Sequence, residues 1–171
     1  RTFILILVFL TAPVMAQGDD VTRPTRRDHW PQWRGPLGTG VSPAGDPPVE
    51  WSEDKNVQWK IELPGRGHST PIVWDEKVFL TAAVPVGPML EPRKSGRPGA
   101  HDNLAVSQRH RFVALAVDRT TGKVLWQTTL NEALPKEGAH YTASLASASS
   151  VADSDHVFAF FGSHGLFCLD H

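Results

Sequence analysis

Residues 112–130 constrain the fold more than any other stretch of this chain. Phe112, Val113, Ala114, Leu115, Ala116 and Val117 are all apolar. A strand with one wet face alternates apolar and polar residues, so an unbroken apolar run of strand length predicts burial on both faces. Asp118 follows, and its carboxylate can accept the backbone N–H groups ahead of it in an Asx-type turn. Gly122 suits the positive-φ position that closes a short hairpin loop, often with a bulge. The chain then leaves with Val124, Trp126, Thr128 and Leu130 on one side and Lys123, Gln127 and Thr129 largely on the other. That alternation predicts a strand nearer the outside of a sheet, with one drier face.

The pattern repeats. Residues 70–80 align with residues 149–159 at an offset of 79, so that Ile72 meets Val151, Val78 meets Val157 and Phe79 meets Phe158. Both copies read as strand, acidic turn, strand. Asp75, Glu76, Asp153 and Asp155 therefore suit hairpin turns better than acid–base chemistry. Residues 115–118 align with 167–170 at an offset of 52, and the shortfall of 27 residues places extra chain between Val84 and Arg111 in the first copy. A unit of about 50 residues per four strands matches the spacing of propeller repeats. The spacing from Trp126 to Ser149 exceeds that from Trp59 to Thr70 by 12, a second insertion over much of residues 131–142. Residues 57–63 resemble residues 124–130, and we read them as an N-terminal outer strand that completes the last blade of a ring.

Residues 116–126 spell Ala-x-Asp-x-x-Thr-Gly-x-x-x-Trp, with Ala116, Asp118, Thr121, Gly122 and Trp126 at the defined positions. Each matches the repeat signature of the quinoprotein-dehydrogenase-like β-propellers, which the chain resembles. The Gly/Pro-rich lead-in carrying Trp30 and Trp33 is similar to lead-ins of exported propellers with this repeat. The resemblance implies an all-β fold, a β-propeller of four-stranded blades, present as roughly one full blade plus parts of its neighbours. It also implies that the motif tryptophan docks on a neighbouring blade around the motif's Gly and Ala. Trp126, Ala116 and Gly122 would then fasten blade to blade.

Two kinds of function follow from the resemblance. One is an exported, non-catalytic propeller acting as a binding or assembly scaffold, with a protein or small-molecule ligand on one face. An outer-membrane assembly lipoprotein shares the repeat and scaffolds other proteins. The other is a dehydrogenase of alcohols or sugars that uses pyrroloquinoline quinone and calcium, its active-site residues lying beyond residue 171. Such a site adds an adjacent Cys–Cys disulfide, carboxylate and amide calcium ligands, a catalytic Asp and a Trp under the quinone. Cys168 is the only cysteine, so no such pair is present, and no cofactor is evident. The scaffold reading is preferred, and no residue is assigned a catalytic role.

Residues 1–16 read as the end of a secretory signal peptide: an apolar run, Pro13, and small Val14 and Ala16 before a cut at Gln17. The run is shorter than the ~20 residues of a membrane span, with an uncleaved anchor as the alternative. Residues 17–28 read as a flexible linker and residues 29–171 as propeller. The start at Arg1 and the stop just past Asp170 predict a second blade short of its last strand. An exported chain permits disulfides, yet Cys168 is alone in an apolar strand and reads as a buried thiol. A formal net charge of −1 predicts no general attraction to nucleic acid or to a membrane surface.

Few residues suggest a site. The eight histidines include no His-x-x-x-His pair, so zinc spacing is missing. Gly35, Gly38 and Gly40 follow no strand and open no helix, which excludes a dinucleotide loop. Ser147, Ser149 and Ser150 lack a nucleophile-elbow pattern. His68 and His140 sit just before innermost strands and, with Arg66 and Tyr141, could face a shared ligand at the channel mouth; turn capping and packing are the competing roles. The loop at residues 85–111 carries Arg93, Lys94, Arg97, Arg109 and Arg111 against Glu91 and Asp102. It reads either as a solvated excursion or as an anion-attracting lid.

Overall fold

The apolar run at residues 112–117 forms the body of an inner strand, and all six of its side chains are buried. The computed structural model describes residues 26–42, 45–94 and 103–171. Among the described residues the strands are β1 (Ile72–Trp74), β2 (Lys77–Val86), β3 (Arg109–Asp118), β4 (Val124–Ala133), β5 (Val151–Ala152), β6 (His156–Phe160) and β7 (Leu166–Asp170). Strands β1 to β4 form one antiparallel sheet in chain order, and β5 to β7 form a second. The described residues contain no α-helix, only 3-10 turns at Arg26–Asp28 and Gly162–His164. The chain is all-β, and its first sheet has the up-and-down order of a propeller blade.

The two sheets repeat in register. Ile72 pairs with Phe79 and Val73 with Val78 in the first, as Val151 pairs with Phe158 and Ala152 with Val157 in the second. Phe79 pairs with Ala116 and Lys77 with Asp118, as Phe158 pairs with Cys168 and His156 with Asp170. Backbone pairing thus reproduces both sequence offsets. The equivalent residues Thr70 and Ser149 also touch, the Thr70 N–H donating to Ser149 Oγ at 2.9 Å. The innermost strands therefore start side by side.

Both faces of the first sheet are covered because side chains of β3 alternate between them. Phe112 and Ala116 face the second sheet: Ala116 packs with Ile72, Trp74, Phe79, Ala152 and Val157, and Phe112 with Ala146, Ala159 and Phe161. Leu115 and Val117 face the other way, with Val78, against Trp59 and Ile61. On β4, Trp126, Thr128 and Leu130 turn inward, while Gln127 and Thr129 are exposed. Asp118 builds the expected turn. Its Oδ1 accepts the N–H groups of Thr120 and Thr121 and the Thr121 hydroxyl. These bonds, the hydroxyl's first, hold its carboxyl below the usual range.

Residues 57–63 are extended, and their alternate side chains Trp59 and Ile61 lie on the first sheet; the last blade they are expected to complete lies outside the described residues. The residues read as a linker end in the Arg26–Asp28 turn, where the Arg26 guanidinium donates to Gln32. The lead-in then joins both innermost strands: Trp30 pairs with Val73, and the Pro31 carbonyl accepts the Ala152 N–H. The signal-peptide reading lies outside the described residues. Cys168, expected to be a buried thiol, is exposed on β7, at the edge of the described three-stranded sheet. Its counterpart Ala116 is covered because β4 lies beside it, Ala116 pairing with Trp126.

The described parts of the insertion at residues 85–111 extend the hairpin of β2 and β3. Strand β2 runs to Val86 and β3 begins at Arg109, and Arg93 still pairs with Val106. Pro85 is tolerated within β2 because its missing N–H falls on the side where β1 has ended.

Candidate functional site

The two insertions that the repeat does not require meet at one end of the first sheet. The Leu104 N–H donates to the Ala139 carbonyl at 2.9 Å, Asn103 pairs with His140, and the Arg93 guanidinium donates to the Pro135 carbonyl at 3.0 Å. The approach is close enough to demand glycine: a Cβ on Gly138 would lie 1.6 Å from the Leu104 carbonyl oxygen. Beneath this junction is a cavity of about 270 Å³. Its walls are mainly apolar, from Ala83 and Pro85 of β2, Leu104 and Val106 of the first insertion, and Pro135 and Leu145 beyond β4. Arg66, His110 and Glu137 supply its titratable groups.

Of the four residues expected at a ligand face, Arg66 alone lines this cavity. Its backbone pairs both ways with Ala83. His68 is exposed, and its N–H donates to the Ala146 carbonyl. His140 bonds the Thr142 hydroxyl through Nδ1 at 2.8 Å and lies against Tyr141 at 4.6 Å between ring centroids. That pair forms a local cap on the second insertion.

The motif residues divide between two docking contacts. Trp126 lies in the layer between the sheets, 6.0 Å from the Phe79 ring and paired across the ladder with Ala116. Gly122 is covered instead by Trp59. A Cβ there would lie 2.7 Å from the Trp59 ring, and the residue's φ is +74°. The Trp59 indole N–H donates to the Arg119 carbonyl at 2.8 Å, clamping the same turn. Trp59 was missed as a docking residue, although its likeness to Trp126 was visible.

The positive loop is partly neutralised. Glu132 of β4 receives Arg111 at 2.8 Å and lies 3.7 Å from Arg109. The hydrogen bond from Arg111 is the main cause holding its carboxyl below the usual range. Charge counted within the loop missed Glu132 because it arrives across the β3–β4 ladder. Arg97 lies outside the described residues.

The Gly162–His164 turn of the second sheet caps the same end of the first. The His164 ring stacks on Phe112 at 4.3 Å, its carbonyl accepts the Asn131 amide, and the Ser163 carbonyl accepts Lys136. Burial, then the charge of Lys136, lowers the His164 pKa from its ordinary 6.5, against an upward pull from Glu137. Burial likewise lowers His110. The unfolded chain therefore binds more protons as pH falls below 6.5, and stability present above that value is lost as pH drops through the lowered native pKa values. The thermal midpoint should fall between pH 7.5 and 5.5, and less so in His164→Phe, which keeps the ring stack. An equal fall in both proteins would remove His164 as a cause.

Residues 41–170 match the family described as outer membrane protein assembly factor BamB. The chain belongs to this family. It is a family of β-propellers built from repeats of the quinoprotein type, in keeping with the sheet order and the register of the two copies. The BamB match takes in both sheets and both insertions, while the lead-in with Trp30 and Trp33 precedes it. No curated protein and no solved structure matches the chain. Among the described residues, no three His, Cys, Asp or Glu side chains gather as metal ligands. No described helix is long and apolar enough to cross a membrane.

Proposed function

We propose that the chain is part of an exported, non-catalytic β-propeller that acts as a binding or assembly scaffold, its protein partner received where the two insertions meet. The observation that carries this reading is the backbone pairing of Leu104 with Ala139 and of Asn103 with His140. A blade needs neither segment, yet both are held against each other at one end of the sheet, the usual placement of function on a rigid repeat scaffold. The description of the family as an assembly factor for outer membrane proteins favours a protein partner. Export is supported by that setting and by the leader-like apolar run before Pro13.

The test is photo-crosslinking of the full-length protein in the cells that make it. A crosslinker at Tyr141, exposed on the second insertion, should capture a discrete partner. One at Lys123, in the turn at the opposite end of the sheet, should not. Gly138→Ala should abolish capture, because its Cβ cannot coexist with the Leu104 carbonyl. Equal capture from both ends, or quinone-dependent reduction of an artificial electron acceptor by the full-length protein, would overturn the proposal.

A further inference from the structure

We propose that the cavity beneath the paired insertions binds a small apolar carboxylate, its apolar body among Val106, Pro135 and Leu145 and its carboxylate on Arg66. This goes beyond the scaffold reading and holds whether or not the same end also docks a protein.

The cavity, at about 270 Å³, is close to the lower end of the ~300–1,000 Å³ typical of small-ligand pockets. Its apolar walls reward an apolar body, and Arg66, exposed at the rim, is free to meet a charged end. The pairing group is Arg66. Other cations at this end already have acceptors: Arg109 and Arg111 have Glu132, Arg93 the Pro135 carbonyl, and Lys136 the Ser163 carbonyl. Arg66 is held by its backbone to Ala83, while its guanidinium makes no ion pair or hydrogen bond among the described residues.

A guanidinium presents two parallel N–H donors to a carboxylate, which sets orientation as well as affinity. Glu137 also lines the cavity and opposes added negative charge, a dianion more than a monoanion, so a carboxylate fits better than a phosphate. His110 donates its Nδ1–H to the Gln108 carbonyl at 3.1 Å, and burial favours its neutral form. It therefore adds no competing cation near neutral pH.

The test is calorimetric titration of the full-length protein with 4-phenylbutyrate, 4-phenylbutanol and 4-phenylbutylamine. The carboxylate should bind at least about tenfold more tightly than the alcohol, the factor worth ~1.4 kcal/mol, and the amine most weakly. Arg66→Gln should remove the advantage of the carboxylate and leave alcohol binding unchanged, which also shows that the variant is folded. Ala143→Phe, which fills the cavity, should abolish binding of all three while the circular-dichroism spectrum is kept. An acetylated tripeptide ending in phenylalanine separates two sources of this chemistry. Binding as tight as that of phenylbutyrate indicates a protein C-terminus, and weaker binding a free acid. No binding of any probe, preference for the amine, or an unchanged carboxylate affinity in Arg66→Gln would each overturn the proposal. None of these outcomes bears on crosslinking at Tyr141, so the two proposals fail separately.

Discussion

Replacing Phe112 by alanine should destabilise the full-length protein by about 3–5 kcal/mol, the range for truncating a buried aromatic. Phe112 has no exposed surface and lies where β3 meets the second sheet. Its ring meets Phe161 edge-on at 5.4 Å and stacks with His164 at 4.3 Å. Truncation removes these contacts and leaves a void bounded by backbone that cannot collapse, because β3 is hydrogen-bonded on both sides to β2 and β4. The urea midpoint should fall with little change in slope. Phe112→Leu, which keeps most of the volume, should recover much of the loss. A Phe112→Ala midpoint within about 1 kcal/mol of wild type would mean that the two sheets do not depend on this layer.

Trp126→Ala should cost about 3 kcal/mol, toward the lower end of the same range because the indole is only partly buried. The expectation began with the repeat motif, and the structure supplies its physical basis. Trp126 closes the outer side of a layer made by Ile72, Trp74, Phe79, Ala116, Ala152 and Val157, residues drawn from both sheets. Without it, Ala116 and Phe79 would face solvent along the β3–β4 ladder. Loss of near-ultraviolet circular dichroism should accompany the lower midpoint. A variant that melts like wild type would remove Trp126 from the fastening of one sheet to the next.

Much of the fold was legible because strand physics is local. The run at residues 112–117 demanded two covered faces, and the structure covers one with the second sheet and the other with Trp59 and Ile61. Asp118 and Gly122 specified their turn through hydrogen bonding and backbone conformation within a few residues. The offsets between copies reappear as backbone register. Residues whose roles depend on a remote partner were harder to place. Glu132 was invisible to charge counting within the loop, since it meets Arg111 only across a ladder. Cys168 has the apolar setting of a buried thiol, but burial at that position requires a strand alongside, as β4 lies beside its counterpart Ala116.

The candidate site divides in the same way. Two insertions were countable from the repeat, but nothing in their composition says that Gly138 lies against Leu104 or that a cavity closes beneath them. Arg66, His68, His140 and Tyr141 were grouped by their places before innermost strands, and of the four Arg66 alone lines the cavity. By itself the sequence determined the strands, their turns, their repeat and hence the propeller family, because periodicity and turn chemistry act over a few residues. Only the tertiary structure decided which tryptophan covers Gly122, which carboxylate neutralises Arg109 and Arg111, and which residues line the cavity. Those outcomes depend on surfaces brought together from positions 20 to 60 or more residues apart.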